Sequence, residues 1–208
     1  MDIIKAIASE LNVRNNQVEA AVKHIDEGCT IPFISRYRKE ATGALNDEQL
    51  RNLDERLKYL RNLEDKKTQV IASIAEQGLL TDELKNQIEK ADTMVAVEDL
   101  YRPYRPKRRT RATIAKEKGL EPLANIIMLQ MTGEPVVKTA EEYVSEEKDV
   151  KTPEDAVAGA KDIIAESISD NADYRTRIRE LTFKEGVLTS AAKDAEAKTV
   201  YEMYYNFS

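Results

Sequence analysis

The sequence is poor in the residues that cross-link, bend or interrupt a chain. Its 208 residues include one cysteine, one histidine, no tryptophan, seven glycines and six prolines. A single cysteine excludes an internal disulfide and is typical of a reducing compartment. Zinc needs three or four protein ligands, and His24 and Cys29 are the sole residues of their types. We therefore predict no metal site and no cofactor.

The sequence also lacks long apolar runs and recognisable catalytic motifs. No stretch approaches the roughly 20 apolar residues that cross a bilayer, and the first residues lack the basic region and apolar run of a signal peptide. We expect a cytoplasmic protein with no membrane partner. There is no Gly-rich phosphate loop, nucleophile elbow or histidine-based triad, so we expect no enzymatic activity.

The remaining composition favours helices. Ala, Leu, Ile, Glu and Lys dominate, and apolar residues recur at helical spacing behind capping residues. The longest such pattern begins at Asn46, includes Leu50, Leu53 and Leu57, and ends at Gly78, which predicts a helix of about 45 Å. We predict an all-α fold, an elongated multi-helix domain arranged around this long central helix.

Three segments are predicted along the chain. Residues 1–131 form a helical domain whose last apolar position is Met131. Residues 132–151 contain Gly, Pro and a run of carboxylates, which predicts a domain boundary or mobile linker. Residues 152–208 form a separate C-terminal part.

The C-terminal part has the pattern of a helix-turn-helix. Thr152 is a predicted N-cap, followed by a proline and two acidic residues. Asn171 begins a second helix, and a helix pair joined by a short turn is compatible with helix-turn-helix geometry. The inward residues predicted for this second helix are Tyr174, Ile178 and Leu181. Apolar stretches at 187–189 and 200–204 allow a small β-hairpin.

Positive charge is concentrated in one stretch. Between residues 101 and 118, eight Lys or Arg side chains accompany one Glu, a local charge of +7 in a chain whose total is −6. Because Pro103 and Pro106 disfavour a helix, we predict an ordered, non-helical loop from Arg102 to Thr110. We call residues 102–111 the basic loop. Its candidate nucleic-acid-binding residues are Arg102, Arg105, Lys107, Arg108, Arg109 and Arg111.

A second group of cations lies in a helix predicted to begin at Pro32 and end at Gly43. The apolar side of this helix is predicted to consist of Phe33, Ile34, Tyr37 and Ala41. The cations that would extend the basic surface are Arg36, Arg38 and Lys39. The alternative is that they form the solvated face of an amphipathic helix.

Two interpretations of the basic loop stay open. An arginine fork can donate two hydrogen bonds to one phosphate, which would give weak, non-specific binding of RNA or DNA. Alternatively, the arginines bridge helices through Asp and Glu side chains and have a structural role. The first interpretation requires free cations, and the second requires paired ones.

Three blocks of the sequence are distinctive. Residues 28–43 read GCTIPFISRYRKEATG, residues 98–115 read EDLYRPYRPKRRTRATIA, and residues 156–166 read AVAGAKDIIAE. These blocks resemble, in the same order, the N-terminal region of the bacterial Tex transcription accessory proteins. The resemblance covers nearly the whole chain. It implies an elongated helical region with a helix-turn-helix-like part, and a family that binds nucleic acid and acts in transcription. In full-length relatives a ribonuclease-H-like YqgF domain, helix-hairpin-helix units and a C-terminal OB-fold RNA-binding domain follow.

Two functions are therefore expected as alternatives. The chain is either a nucleic-acid-associated, non-catalytic module of a Tex-like transcription accessory protein, or a helical scaffold. The scaffold would support later domains or dock on the transcription machinery without touching nucleic acid.

Overall fold

The computed structural model describes residues 2–130, 133–194 and 196–207, and these residues are mainly helical. The predicted all-α class is confirmed. Contacts divide the chain into two compact units, Met1–Tyr101 and Arg102–Ser208. None of the helices in the described ranges is both long and apolar enough to cross a membrane.

The first unit consists of six helices among its described residues. They are α1 (Ile3–Glu10), α2 (Asn15–Asp26), α3 (Ile31–Tyr37), α4 (Asp47–Glu76), α5 (Asp82–Lys90) and α6 (Met94–Tyr101). The second unit contains α7 (Arg111–Glu117), α8 (Glu121–Leu129), α9 (Val136–Ala140), α10 (Pro153–Asp170), α11 (Ala172–Glu185), β1 (Ser190–Ala191) and β2 (Asn206–Phe207). Its 3₁₀ turns are Arg102–Tyr104, Glu141–Tyr143 and Glu202–Tyr204.

The predicted long helix is the centre of the first unit. The Asn46 side chain accepts a hydrogen bond from the Gln49 backbone at 2.8 Å, and the Gln49 side chain accepts one from the Asn46 backbone at 3.0 Å. This capping box starts α4, which runs for 30 residues. Helices α1, α2, α3, α5 and α6 contact α4. The buried side chains of α4 are Leu50, Leu53, Leu57, Leu60, Leu63, Lys67, Val70 and Ile74.

Helix α3 is shorter than predicted, and its apolar side was partly misassigned. It ends at Tyr37 instead of continuing to Gly43, and Ile34 is its buried residue. The chain then turns, with the buried Thr42 hydroxyl donating to the Arg38 carbonyl oxygen at 3.0 Å. Ala41, which lies beyond the end of the helix, and the two aromatic residues of α3 are exposed.

The core of the second unit lies around α10. Thr152, the predicted N-cap, forms a capping box with Asp155, with hydrogen bonds of 3.1 and 3.2 Å. Helices α7, α8 and α9 contact α10. The buried residues of this core are Ala112, Ala115, Leu120, Leu123, Ala124, Ala140, Val150, Ala156, Ala160 and Ile163.

The acidic segment predicted as a linker belongs to this core instead. Residues 136–143 form a helix and a 3₁₀ turn, and Ser145 and Val150 pair through two backbone hydrogen bonds of 2.9 Å. Ala140 and Val150 are almost fully buried. The carboxylates occupy exposed positions around these apolar anchors, so composition suggested a linker where the chain is folded. Met131 and Thr132, at the predicted boundary, lie outside the described residues.

The inward face predicted for α11 is exposed. Tyr174, Ile178 and Leu181 all lie open to solvent, and no described residue of α11 is buried. One residue, Asn171, separates α10 from α11, which is fewer than the three or four residues of a usual helix-turn-helix turn. The helix-turn-helix interpretation stays a prediction. The hairpin strands exist, with Ser190 opposite Phe207, but β1 begins one residue and β2 two residues after the end of its predicted stretch.

Candidate nucleic-acid interface

The basic loop is an ordered segment fastened at both ends. It begins with a 3₁₀ turn at Arg102–Tyr104, where a fully non-helical loop was predicted, and then continues without regular structure. At its far end Thr110 caps α7, since its Oγ1 accepts a hydrogen bond from the Thr113 backbone at 3.1 Å. The same hydroxyl donates to Glu166 Oε2 at 2.9 Å. The loop is therefore held on α7 and α10.

Two of the candidate cations are structural anchors. Arg102 Nε donates a hydrogen bond to Asp170 Oδ1 at 2.9 Å. Lys107 Nζ donates to the other oxygen of Asp170 and lies 3.4 Å from Glu166 Oε1. Asp170 is buried, and it lies one helical turn after Glu166 on α10. These contacts match the predicted alternative in which cations of the loop bridge to helix carboxylates.

The other four candidate cations of the loop point outward. Arg109 pairs with Glu117 at 2.7 Å, yet 68% of its side chain is exposed. Arg111 is 87% exposed and lies 3.9 Å from Asp162. Arg105 and Arg108 are exposed, and neither has an ion-pair partner among the residues that the structure describes. The basic loop thus has an inner pair of bound cations and an outer set of four: Arg105, Arg108, Arg109 and Arg111.

The two lysines after the loop are also paired within the second unit. Lys116 lies 3.5 Å from Glu121 Oε1. Lys118 donates to the Asp149 carbonyl at 2.7 Å and to its carboxylate at 3.1 Å. The hydrogen bond from Lys118 holds the pKa of Asp149 below its ordinary value. The excess positive charge seen in the sequence is therefore partly neutralised by acidic segments of the same unit.

The second candidate group, in the first unit, lies beside exposed aromatic rings. Arg36, Arg38 and Lys39 are all exposed. The rings of Phe33 and Tyr37 have centroids 5.2 Å apart, and 66% of Tyr37 is exposed. The Arg38 guanidinium lies 5.3 Å from the centre of the Phe33 ring. We call these five residues the α3 aromatic–basic surface.

Sequence reasoning missed the aromatic half of this surface. The i, i+4 spacing of Phe33 and Tyr37 suggested a buried stripe, and the pattern was extended over a helix that ends earlier. Basic residues directly flanking both sides of Tyr37 were the available signal that its ring lies at the surface. The α3 aromatic–basic surface belongs to the first compact unit and the basic loop to the second.

A third potential metal ligand was also missed. Glu27 lies beside His24 and Cys29, and the ligand atoms of the three residues all lie within 4.8 Å of one another. The available signal was the spacing of Glu27, three residues after His24 at the end of a helix.

Comparison with known proteins finds a matching family model in each of the two units. The model of the Tex-like protein N-terminal domain matches residues 1–75, and that of the Tex central region matches residues 132–208. Bacillus subtilis YdcI is 48% identical over 97% of this chain, and Bordetella pertussis protein tex is 47% identical over 90%. The human S1 RNA-binding domain-containing protein 1 is 27% identical over the whole chain.

These matches cover a minor part of each relative. The aligned region spans 28% of the Bacillus protein, 24% of the Bordetella protein and 21% of the human protein. The Neisseria gonorrhoeae transcriptional accessory protein Tex, 45% identical, is likewise matched over 24% of its length. The chain therefore belongs to the Tex family of transcription accessory proteins and corresponds to their N-terminal region.

Proposed function

We propose that this region is a non-catalytic module that binds single-stranded nucleic acid weakly and without sequence preference. The α3 aromatic–basic surface carries the proposal. Proteins that bind single strands combine cations, which contact phosphates, with exposed aromatic rings, on which bases stack. Tyr37 is exposed between Arg36 and Arg38, so both kinds of contact are available within a few residues.

The basic loop would add phosphate contacts. Its inner cations, Arg102 and Lys107, are bound to carboxylates and hold the loop in one shape. Its outer set of four arginines is exposed, so these side chains can reach phosphates without breaking the core. Nothing in the loop is arranged to read base edges, and binding through it should be independent of sequence and steeply dependent on salt.

The names of the relatives support a role near nucleic acid. One bacterial relative is named as a transcriptional accessory protein, and the human relative is named for an S1 RNA-binding domain. Both names describe proteins about four to five times as long as the matched region. For this chain we propose that the partner is RNA or DNA in the cytoplasm, bound during transcription.

The proposed absence of catalysis follows from the chemistry of the side chains. With one histidine and one cysteine in the sequence, the usual bases and nucleophiles of nucleic-acid hydrolysis would have to be carboxylates holding metal ions. Most acidic residues near the basic loop are already paired with lysine or arginine. We expect no cleavage of RNA or DNA by the pure chain, with or without Mg²⁺. Cleavage abolished by a single carboxylate substitution would contradict this.

The test is the affinity for a fluorescent single-stranded oligonucleotide, measured by anisotropy at several salt concentrations. Replacing Tyr37 by Ala should raise the Kd about tenfold, the lower part of the range for loss of one stacked base. The control is Tyr201→Ala, which removes a similarly exposed tyrosine and should leave the Kd unchanged. An unchanged Kd in Tyr37→Ala would reject the α3 aromatic–basic surface.

A separate pair of variants tests the basic loop. Replacing Arg105 and Arg108 by Ala removes two exposed cations without known partners and should flatten the salt dependence by about two phosphate contacts. The melting temperature should barely change, because exposed charges contribute little to folding. If the salt dependence is unaltered, the loop does not contact phosphate.

The second candidate function is a helical scaffold or protein-docking module. The observation that favours it is the exposed apolar face of α11, formed by Tyr174, Ile178 and Leu181. Large apolar side chains grouped on one helix are often covered by a protein partner. Wild-type protein that fails to bind any oligonucleotide at low salt would reject nucleic-acid binding and leave this candidate.

A further inference from the structure

We propose that the C-terminal end of α2 binds one divalent transition-metal ion of the Zn²⁺ class through His24, Glu27 and Cys29. The three side chains offer a nitrogen, an oxygen and a sulfur, all within 4.8 Å of one another. His24 Nδ1 and Glu27 Oε2 are 3.1 Å apart. The site shares no residue with the proposed nucleic-acid surfaces.

The backbone conformation at the end of α2 brings Cys29 next to His24, whatever rotamers the two side chains adopt. Gly28 has a φ of +83°, and its N–H donates to the Ile25 carbonyl at 2.9 Å. The N–H of Cys29 then donates to the His24 carbonyl at 3.0 Å. These two bonds form a Schellman motif, which places the residue after the glycine beside the third-last residue of the helix. Glu27 follows His24 by three positions and therefore lies on the same helix face.

The electrostatic surroundings suit a cation. Unsatisfied carbonyl groups give a helix C-terminus partial negative charge, and Glu27 adds a full one. The neighbouring Asp26 does not compete for the ion, because both of its oxygens accept hydrogen bonds from Arg61 at 2.7 and 2.8 Å. Glu27 is exposed, while His24 and Cys29 are half-buried, so the ion would be reached from solvent on the glutamate side.

The donor set identifies the class of metal. A thiolate, an imidazole and a carboxylate together are typical ligands of Zn²⁺, whereas Mg²⁺ and Ca²⁺ prefer oxygen alone. In a tetrahedral zinc site the ligand atoms lie about 3.3–3.6 Å apart, so the side chains need to close by about 1 Å. Three protein ligands leave a fourth position for water or another ligand.

Cobalt is the probe, because Co²⁺ replaces Zn²⁺ and is visible spectroscopically. The full chain, without a polyhistidine tag, reduced and metal-free, is titrated with Co²⁺. We expect a thiolate-to-cobalt charge-transfer band in the near ultraviolet and intense visible bands of tetrahedral cobalt, both removed by Zn²⁺. Since Cys29 is the sole thiol, the band can come from no other residue. Absence of the band in the wild-type chain would overturn the proposal.

Variants identify the other two ligands. Glu27→Gln and His24→Gln should each raise the Kd for Co²⁺ at least tenfold, since replacing even the groups that support metal ligands has effects of that size. Glu19→Gln is the control, because Glu19 is an exposed carboxylate of the same helix and should leave the Kd unchanged. Equal Kd values for Glu19→Gln and both ligand variants would overturn the three-residue site.

Alkylation of Cys29 provides a second readout that does not depend on cobalt. Zn²⁺ should slow alkylation of the wild-type thiol at least tenfold, because a bound thiolate is protected. The same protection is expected in Glu19→Gln and not in His24→Gln. Equal alkylation rates with and without Zn²⁺ in the wild-type chain would contradict the proposal.

Discussion

Asp170, the last residue of α10, accepts a 2.9 Å hydrogen bond from Arg102, which lies 68 positions earlier in the chain. Lys107 donates to the second oxygen of the same carboxylate. One buried acid therefore fixes the start and the middle of the basic loop on the end of a helix. This contact separates the structural cations of the loop from those that remain available to a partner.

Replacing Asp170 by Asn should destabilise the second unit by about 1–3 kcal/mol, because Arg102 and Lys107 lose the charge of the buried carboxylate that they contact. Urea denaturation followed by circular dichroism measures the change. The control is Asp162→Asn, whose partner Arg111 is 3.9 Å away and almost fully exposed, and we expect less than about 0.5 kcal/mol there. Equal losses in the two variants would mean that the Asp170 contacts do not contribute to stability.

Replacing Leu57 by Ala should cost about 2–5 kcal/mol, because Leu57 is 2% exposed in the middle of α4 and its truncation leaves a cavity. Chemical denaturation measures the loss. Glu55→Ala is the matched control, since Glu55 is exposed on the same helix and should change stability by less than about 0.5 kcal/mol. A small effect at Leu57 would contradict the burial of this face.

Replacing Gly159 by Ala should destabilise the second unit, although alanine favours helices. A Cβ at position 159 would lie 2.4 Å from Leu120 Cδ1 and 3.3 Å from the Ala115 Cβ. We expect the loss of stability from overpacking, about 1–3 kcal/mol, to exceed the gain from the higher helix propensity of alanine, about 1 kcal/mol. The control is the neighbouring residue Ala158, which is exposed on the same helix. Ala158→Gly should lower the stability by about 1 kcal/mol through helix propensity alone. Stabilisation by Gly159→Ala, measured by urea denaturation, would show that Leu120 moves aside easily.

The pKa of Asp26 should lie below its ordinary value, because Arg61 donates two hydrogen bonds to its carboxylate. A lowered folded-state pKa stabilises the protein above the unfolded pKa of about 3.9, and that contribution is lost as pH falls through the folded pKa. Because both side chains are nearly half exposed, the contribution should be about 0–1 kcal/mol. Carboxyl NMR titration measures the pKa, and Arg61→Gln should raise it. No difference between wild type and Arg61→Gln would contradict the assignment.

Local chemistry was sufficient to predict several helix starts. Asn46, Thr152 and Asn171 each cap the helix that follows, because each side chain accepts a hydrogen bond from the backbone N–H three residues later. The buried face of α4 was also predictable, since its leucines recur every three or four residues, the spacing that places side chains on one face of a helix. These features depend on residues that are close to one another in the sequence, so they can be predicted from the sequence alone.

Burial in short helices was not predictable in the same way. Tyr37 and Ile178 follow the same apolar spacing as Leu57, yet both are exposed. Periodicity identifies which residues share a face, but a face is buried only where another element covers it. The acidic segment shows the converse, because Ala140 and Val150 are enough to place it in the core despite its charge.

The sequence by itself determined the helical class, the long α4, the position of the basic loop and the family. Each of these depends on local spacing, capping or residue identity. The tertiary structure alone decided which cations are bound and which are exposed, because Asp170 and Glu166 meet Arg102 and Lys107 only after α10 has packed. It also placed Glu27 beside His24 and Cys29 at the end of α2, and it left Tyr37 uncovered among its cations because no other described element packs on that face.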